Sequence, residues 1–172
     1  KEIVKSRPER LIITISTDGN EEINDYVRGI EGGWKRQIET YKQLHEIEGV
    51  KVVLGMTLSG MNVDEFPRAF AAAKAECPWL TYRDFHVNII HTSDHFFGNT
   101  ELELKENVEK QKLIHAVNEY RDLRGFPLDP VSFLEHEYLR RVERYLETGV
   151  TPMRCHALGS SVFIDSWGQV FP

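Results

Sequence analysis

Apolar positions along the chain follow two different periods, and the alternation between them lays out the elements. Leu11-Ile12-Ile13-Thr14-Ile15 is a compact β-branched run closed by Ser16-Thr17-Asp18-Gly19-Asn20, turn chemistry that ends a buried strand. From Trp34 the period lengthens: Trp34, Ile38, Tyr41, Leu44 and Ile47 fall at three- and four-residue steps on one helical face, and Gly49 supplies the stop. Val50 to Met56 reads as a second strand, Asp64 to Glu76 as an alanine-rich second helix, and Phe85 to His91 as a third strand. A long charged helix follows from Leu102 to Arg124, with Leu104, Val108, Ile114, Val117 and Tyr120 inward. Another spans Val131 to Glu147 after the Pro127 to Pro130 break and stops at Gly149. Ser161 to Asp165 and Gln169 to Phe171 alternate around Ser166-Trp167-Gly168 and read as a short hairpin.

Consecutive strands begin roughly 35 to 40 residues apart, room for one crossover helix each, and their near-continuous apolar runs suit parallel strands covered on both faces. The fold class expected is α/β, a partial (β/α) TIM-like barrel of three βα units with a short C-terminal β-hairpin. Three units cannot close a barrel, and the first strand keeps an unpaired edge unless something covers it. Residues 1–150 make up the barrel segment with its trailing helices, and 151–172 open a second module. The first residue is Lys1, which suggests a segment cut from a longer chain.

With 172 residues, 41% of them hydrophobic, the chain is long enough for one ordinary core. Lys and Arg number 21 against 27 Asp and Glu, a net charge of -6, so no positive field gathers nucleic acid. No apolar run approaches the roughly 18 to 20 residues that cross a bilayer, and no signal segment opens the chain. A soluble cytoplasmic protein is expected. Its two cysteines, Cys77 and Cys155, are too far apart for a local metal motif, and Cys77 before Pro78 reads as a small buried residue.

Parallel sheets bind ligands beyond the carboxyl ends of their strands. Ser16-Thr17-Asp18-Gly19, Thr57-Leu58-Ser59 with Asn62, and His91-Thr92-Ser93-Asp94-His95 fall there. The first loop offers a hydroxyl and a carboxylate to a polar ligand, or is simply a capping turn. Arg28, expected in a loop before the first helix, either clamps a ligand carboxylate or pairs with Asp25. His86, His91 and His95 are not expected to bind metal: His86 and His91 point to opposite faces of an extended strand, and His91 more readily lines a substrate cavity. His45, His115 and His136 read as surface residues.

Two runs resemble a known family. Ile15-Ser16-Thr17-Asp18-Gly19, then Asn24-Asp25-Tyr26-Val27-Arg28-Gly29, then Gly32-Gly33-Trp34 opening a helix, is similar to the second half of the barrel in radical S-adenosylmethionine (radical SAM) enzymes bearing SPASM or twitch domains. Val52 to Asn62, followed by Asp64-Glu65, resembles the next strand and helix start of that family. Cys155-His156-Ala157-Leu158-Gly159, then Val162 to Asp165, then Gly168 to Pro172, resembles the opening of a SPASM module, whose second cysteine would follow Pro172 directly. The family's cluster-binding Cys-x-x-x-Cys-x-x-Cys triad is absent from these 172 residues, so the segment alone is expected to be inactive.

The resemblance implies an oxidoreductase-type parent enzyme. It would reduce S-adenosylmethionine at a 4Fe-4S cluster to a 5'-deoxyadenosyl radical that abstracts hydrogen from a peptide or small-molecule substrate. By the same resemblance Ser16 contacts the cofactor's ribose or methionyl end, Asp18 shapes the loop and Arg28 approaches the carboxylate. Thr57, Asn62 and His91 line the cavity, and Cys155 ligates an auxiliary iron–sulfur cluster. The missing partners would be the N-terminal half-barrel and the C-terminal extension, and the segment alone is expected to expose an apolar face and associate. The rivals are a non-catalytic α/β module that binds a ligand or partner, and a different half-barrel enzyme using Asp18 and His91 as acid and base. The second lacks a third group to orient that pair.

Overall fold

The computed structural model describes residues 11–90, 110–150, 163–164 and 167–171. Strands β1 (Leu11–Ser16), β2 (Val50–Leu58) and β3 (Phe85–Ile89) form one parallel sheet whose spatial order equals the chain order. Between β1 and β2 lie helices α1 (Glu21–Arg28) and α2 (Gly33–His45). Between β2 and β3 lie α3 (Phe66–Glu76) and a 3-10 turn (Tyr82–Asp84). Helices α4 (Lys110–Arg124) and α5 (Pro130–Thr148) follow, and β4 (Phe163–Ile164) pairs antiparallel with β5 (Val170–Phe171) around Gly168. The strand-helix succession and the hairpin agree with the sequence pattern.

Register shows how the sheet divides its side chains. Residues paired across parallel strands point to the same side, and neighbours along a strand alternate. Leu54 pairs with Ile15 and Phe85, and Met56 with Val87. Together with Val52, Leu58 and Ile89 they form the apolar face, on which Trp34, Ile38 and Tyr41 of α2, Phe66, Ala69 and Ala73 of α3, and Val117 and Tyr120 of α4 close the core. Cys77, fully buried with a free thiol, belongs to this cluster as expected. Phe66 meets Phe85 and Tyr120 edge-on, with ring centroids 5.3 and 4.8 Å apart. Tyr120 donates its hydroxyl to the Phe85 carbonyl at 2.6 Å, tying α4 to the start of β3.

The opposite face corrects the expectation of strands buried on both sides. It carries Ile12, Thr14 and Ser16 from β1, Lys51, Val53, Gly55 and Thr57 from β2, and His86 and Asn88 from β3. Ile12, Thr14, Ser16, Lys51 and Thr57 are exposed, so what this face shows among the described residues is mainly polar. The β-branched runs hid this, because Thr and Val have the same shape and similar strand preference. Large exposed apolar side chains lie elsewhere, along the α4–α5 connection and the first turn of α5: Phe126, Leu128, Phe133 and Leu134.

Helix α1 was not expected, and Arg28 is its last residue and not part of a loop. Ile23, Tyr26, Val27 and Ile30 do step at helical spacing, a stripe two turns long beside the one fully buried side chain, Asn24. Further signals lie at its ends. The Asn20 side chain accepts the Ile23 N–H, Glu21 and Glu22 occupy the first turn, and Gly29 at φ 64° terminates it. Helix α5 is similarly marked, with the Asp129 carboxylate accepting from the Val131 and Ser132 N–H groups and Pro130 in the first turn. Leu104 and Val108 lie outside the described residues.

Candidate functional site

The carboxyl ends of β1 and β2 are joined by a buried polar clasp. Asp18 is 7% exposed. One of its carboxylate oxygens accepts the Thr57 N–H at 3.2 Å, and the other stands 2.7 Å from Nη2 of Arg28. Its own N–H is donated to Oδ1 of Asn24 at 3.0 Å, and its carbonyl accepts Nδ2 of Asn62 at 2.9 Å. Asn62 also donates to the Thr57 carbonyl and accepts from both the N–H and the hydroxyl of Ser59, so its carboxamide is saturated. Arg28 therefore pairs with Asp18 and not with Asp25.

Asp25 has a different task. Its two oxygens accept the Gly32 N–H at 2.6 Å and the Trp34 N–H at 2.8 Å, holding the N-terminus of α2, while Asn24 donates to it from beside. The Trp34 N–H, with help from Asn24 and the Gly32 and Gly33 backbone, keeps this carboxyl below the usual carboxylate range. Gly32 sits at φ 67°, a left-handed conformation. A Cβ on Gly33 would stand 3.3 Å from the same carboxylate. The run from Asn24 to Trp34 thus reads as the parts of a strand-end clasp. The capping reading of the loop is satisfied by geometry alone, and Arg28 has its clamp engaged by Asp18.

What remains open to a ligand is the polar sheet face just below the clasp. Ser16 and Thr57 are exposed there, flanking Gly55, with Asn88 half-buried beside Thr57. Gly55 keeps the floor flat, since a Cβ there would lie 2.5 Å from Cγ2 of Thr14. Hydroxyl, amide and backbone groups on three strands therefore face one surface, suited to a polar ligand lying across the strand ends. Asn88 and Gly55 escaped the sequence reading. Their signal was register, because each is the in-line partner of a residue that was singled out.

Asp18 and Asn62 lie beside this surface but act as its frame. His91, the other acid–base candidate, and Cys155, the expected cluster ligand, lie outside the described residues. His86 faces the same sheet surface nearer its amino end, with Nδ1 2.7 Å from Oε2 of Glu135 on α5. Among the described residues no three His, Cys, Asp or Glu side chains are grouped to hold a metal ion. Comparison with models of known protein families, with curated proteins and with solved structures finds no match in any of the three.

The clasp and the face fit S-adenosylmethionine only in part. Ser16 and Thr57 can meet a ribose or methionyl group, whereas the Asn62 carboxamide is fully engaged and Arg28 has Nη2 on Asp18 with its buried Nε unpartnered. No iron–sulfur ligation follows from the described residues, of whose cysteines Cys77 is walled into the core.

Proposed function

We propose that this chain supplies the closing βα units of a radical S-adenosylmethionine barrel, with the polar sheet face turned towards the cofactor. One observation carries the reading: three parallel strands in chain order present hydroxyl and amide groups at their carboxyl ends, on the face opposite α2 and α3, while α5 reaches that face only around Val53 and His86. A barrel segment is built this way, with side chains of one face turned inward and helices outside. A doubly wound sheet reverses its strand order at the ligand site and covers both faces with helices.

When bound, S-adenosylmethionine would supply radical chemistry for hydrogen abstraction from a peptide or small-molecule substrate, given one electron from a 4Fe-4S cluster that the described residues do not hold. In this reading Ser16 and Thr57 orient the cofactor's polar groups. Asp18, Arg28 and Asn62 fix the two strand ends at the spacing that this contact requires. The second reading, a non-catalytic ligand-binding module, is favoured by the presence of only two cysteines, one fewer than the catalytic cluster needs.

The test is a titration of the isotope-labelled full chain with S-adenosylmethionine to about 5 mM, enough to load a site of millimolar affinity. Saturable amide shifts at Ser16, Gly55, Thr57 and Asn88, weakened roughly tenfold in the S16A/T57V variant, support the reading. Absence of shifts at those four positions overturns it. The coding frame around the segment gives a separate check through the Cys-x-x-x-Cys-x-x-Cys triad and a cysteine directly after Pro172.

A further inference from the structure

A chamber of about 210 Å³ lies between the amino-terminal half of the polar sheet face and the first turns of α5. Val53 and Val131 contribute apolar walls, and Lys51, Arg83, Arg124, His86 and Glu135 line it with charge or polarity. Glu135 has a side chain only 12% exposed. Its Oε2 meets His86, but its Oε1 is buried without a hydrogen-bond partner. Such an oxygen calls for a donor from whatever fills the chamber.

The cations that line the chamber are also incompletely answered. Arg83 donates to the carbonyls of Phe126 and Arg124, and Arg124 to the Phe85 carbonyl and the Tyr120 hydroxyl, all neutral oxygens. Among the described residues no carboxylate lies within ion-pair distance of Lys51, Arg83 or Arg124. A bare anion in the chamber would leave Glu135 Oε1 without a donor. A simple amine would add a positive group beside three others that have only Glu135 and, near Lys51, Asp129 as counter-charges. A molecule carrying both an ammonium and a carboxylate answers both.

We propose that this chamber binds a small α-amino acid, its ammonium donating to Glu135 Oε1 and its carboxylate facing the Lys51, Arg83 and Arg124 cations. The volume limits the guest, being below the roughly 300 to 1,000 Å³ of pockets for drug-sized ligands. S-adenosylmethionine, with its adenosyl group, is too large for it. The chamber adjoins the surface at Ser16 and Thr57, since His86 is the register partner of Gly55, but is lined by neither of those two residues, and the inference stands whether or not the radical reading does.

The experiment titrates the isotope-labelled full chain with L-alanine and L-serine to about 50 mM, with acetate and methylammonium at matched ionic strength as single-charge probes. The expected result is saturable shifts of the Thr14, Val53 and His86 amides by at least one amino acid. Each single-charge probe should bind about tenfold more weakly or worse. Glu135→Gln should weaken the amino acid about tenfold, and Lys51→Met, a change at an exposed side chain, should lower affinity several-fold even if the first variant does not fold. Absence of saturable shifts in the wild type, acetate binding as tightly as the amino acid, or unchanged affinity in Lys51→Met would overturn the proposal.

Discussion

Asn62 joins two strand ends with one carboxamide: it donates to carbonyls of Asp18 and Thr57 and accepts from Ser59. Asn62→Ala strands several buried groups at once, and a loss of roughly 2 to 4 kcal/mol is expected in denaturant titrations. The Asp18–Arg28 pair is a milder case, because the Arg28 side chain retains 30% exposure and solvent screens it. A double-mutant cycle with Asp18→Asn and Arg28→Met should return a coupling of about 1 to 2 kcal/mol, and zero coupling would contradict the geometry. Cys77 makes a chemical prediction. Burial pushes its thiol above its ordinary value, so in a Cys155→Ser background an aromatic disulfide reagent should label it only on unfolding. Fast labelling in native buffer would show that the core is open there.

At the scale of elements, β2 is the strand on which the architecture depends, being paired on both sides. Gly55 at its middle faces Thr14 so closely that Gly55→Ala forces a shift, costing about 1 to 3 kcal/mol. Replacing Thr14 by Ser removes the offending methyl, so the G55A/T14S pair should recover most of that loss. Failure of the rescue in thermal melts would locate the strain elsewhere. The strands and the longer helices were legible because each carries a repeating apolar stripe, as Trp34, Ile38 and Tyr41 do. Helix α1 was missed although Ile23, Tyr26, Val27 and Ile30 step at helical spacing, because the stripe spans only two turns and its one fully buried residue, Asn24, is an amide. The polarity of the second sheet face was also hidden, because Thr14 and Thr57 sit among β-branched neighbours. Within the site, the loops were read as ligand-facing from their composition. Only the partnership of Asp18 with Arg28 and Asn62, residues 10 and 44 positions away, separates frame from contact surface.

For the whole molecule, stability should follow pH through groups whose ionisation folding alters. The carboxyl of Asp129 is held down to about 2 from 3.8, chiefly by hydrogen bonds from the Ser132 hydroxyl and N–H, and those of Asp25, Glu76 and Glu137 are also lowered. A depressed carboxyl adds stability that is complete above its unfolded value and lost as pH falls through the folded one. The melting temperature should therefore fall between about pH 4 and pH 2, and Asp129→Asn should flatten that limb. At the alkaline end the sign reverses. Lys35 and Lys42 are raised by the hydrogen bonds they donate to Glu21 and Glu76, and Tyr138 is pushed up to about 12 by burial. These groups stabilise below their unfolded values and lose that contribution as pH climbs beyond them, so a melt series should decline again above about pH 10. An acid limb without slope would mean that these hydrogen bonds persist in the unfolded chain.

The chain-order sheet has a consequence for synthesis. During synthesis β1 emerges before its partner β2, which arrives only after α1 and α2 have been made. Strand β3 then adds to the edge just formed, without threading past anything already folded. Assembly can thus proceed in the direction of translation, with each βα unit templating the next. Until β2 appears, the edge of β1 that it will cover stays open to any neighbouring chain.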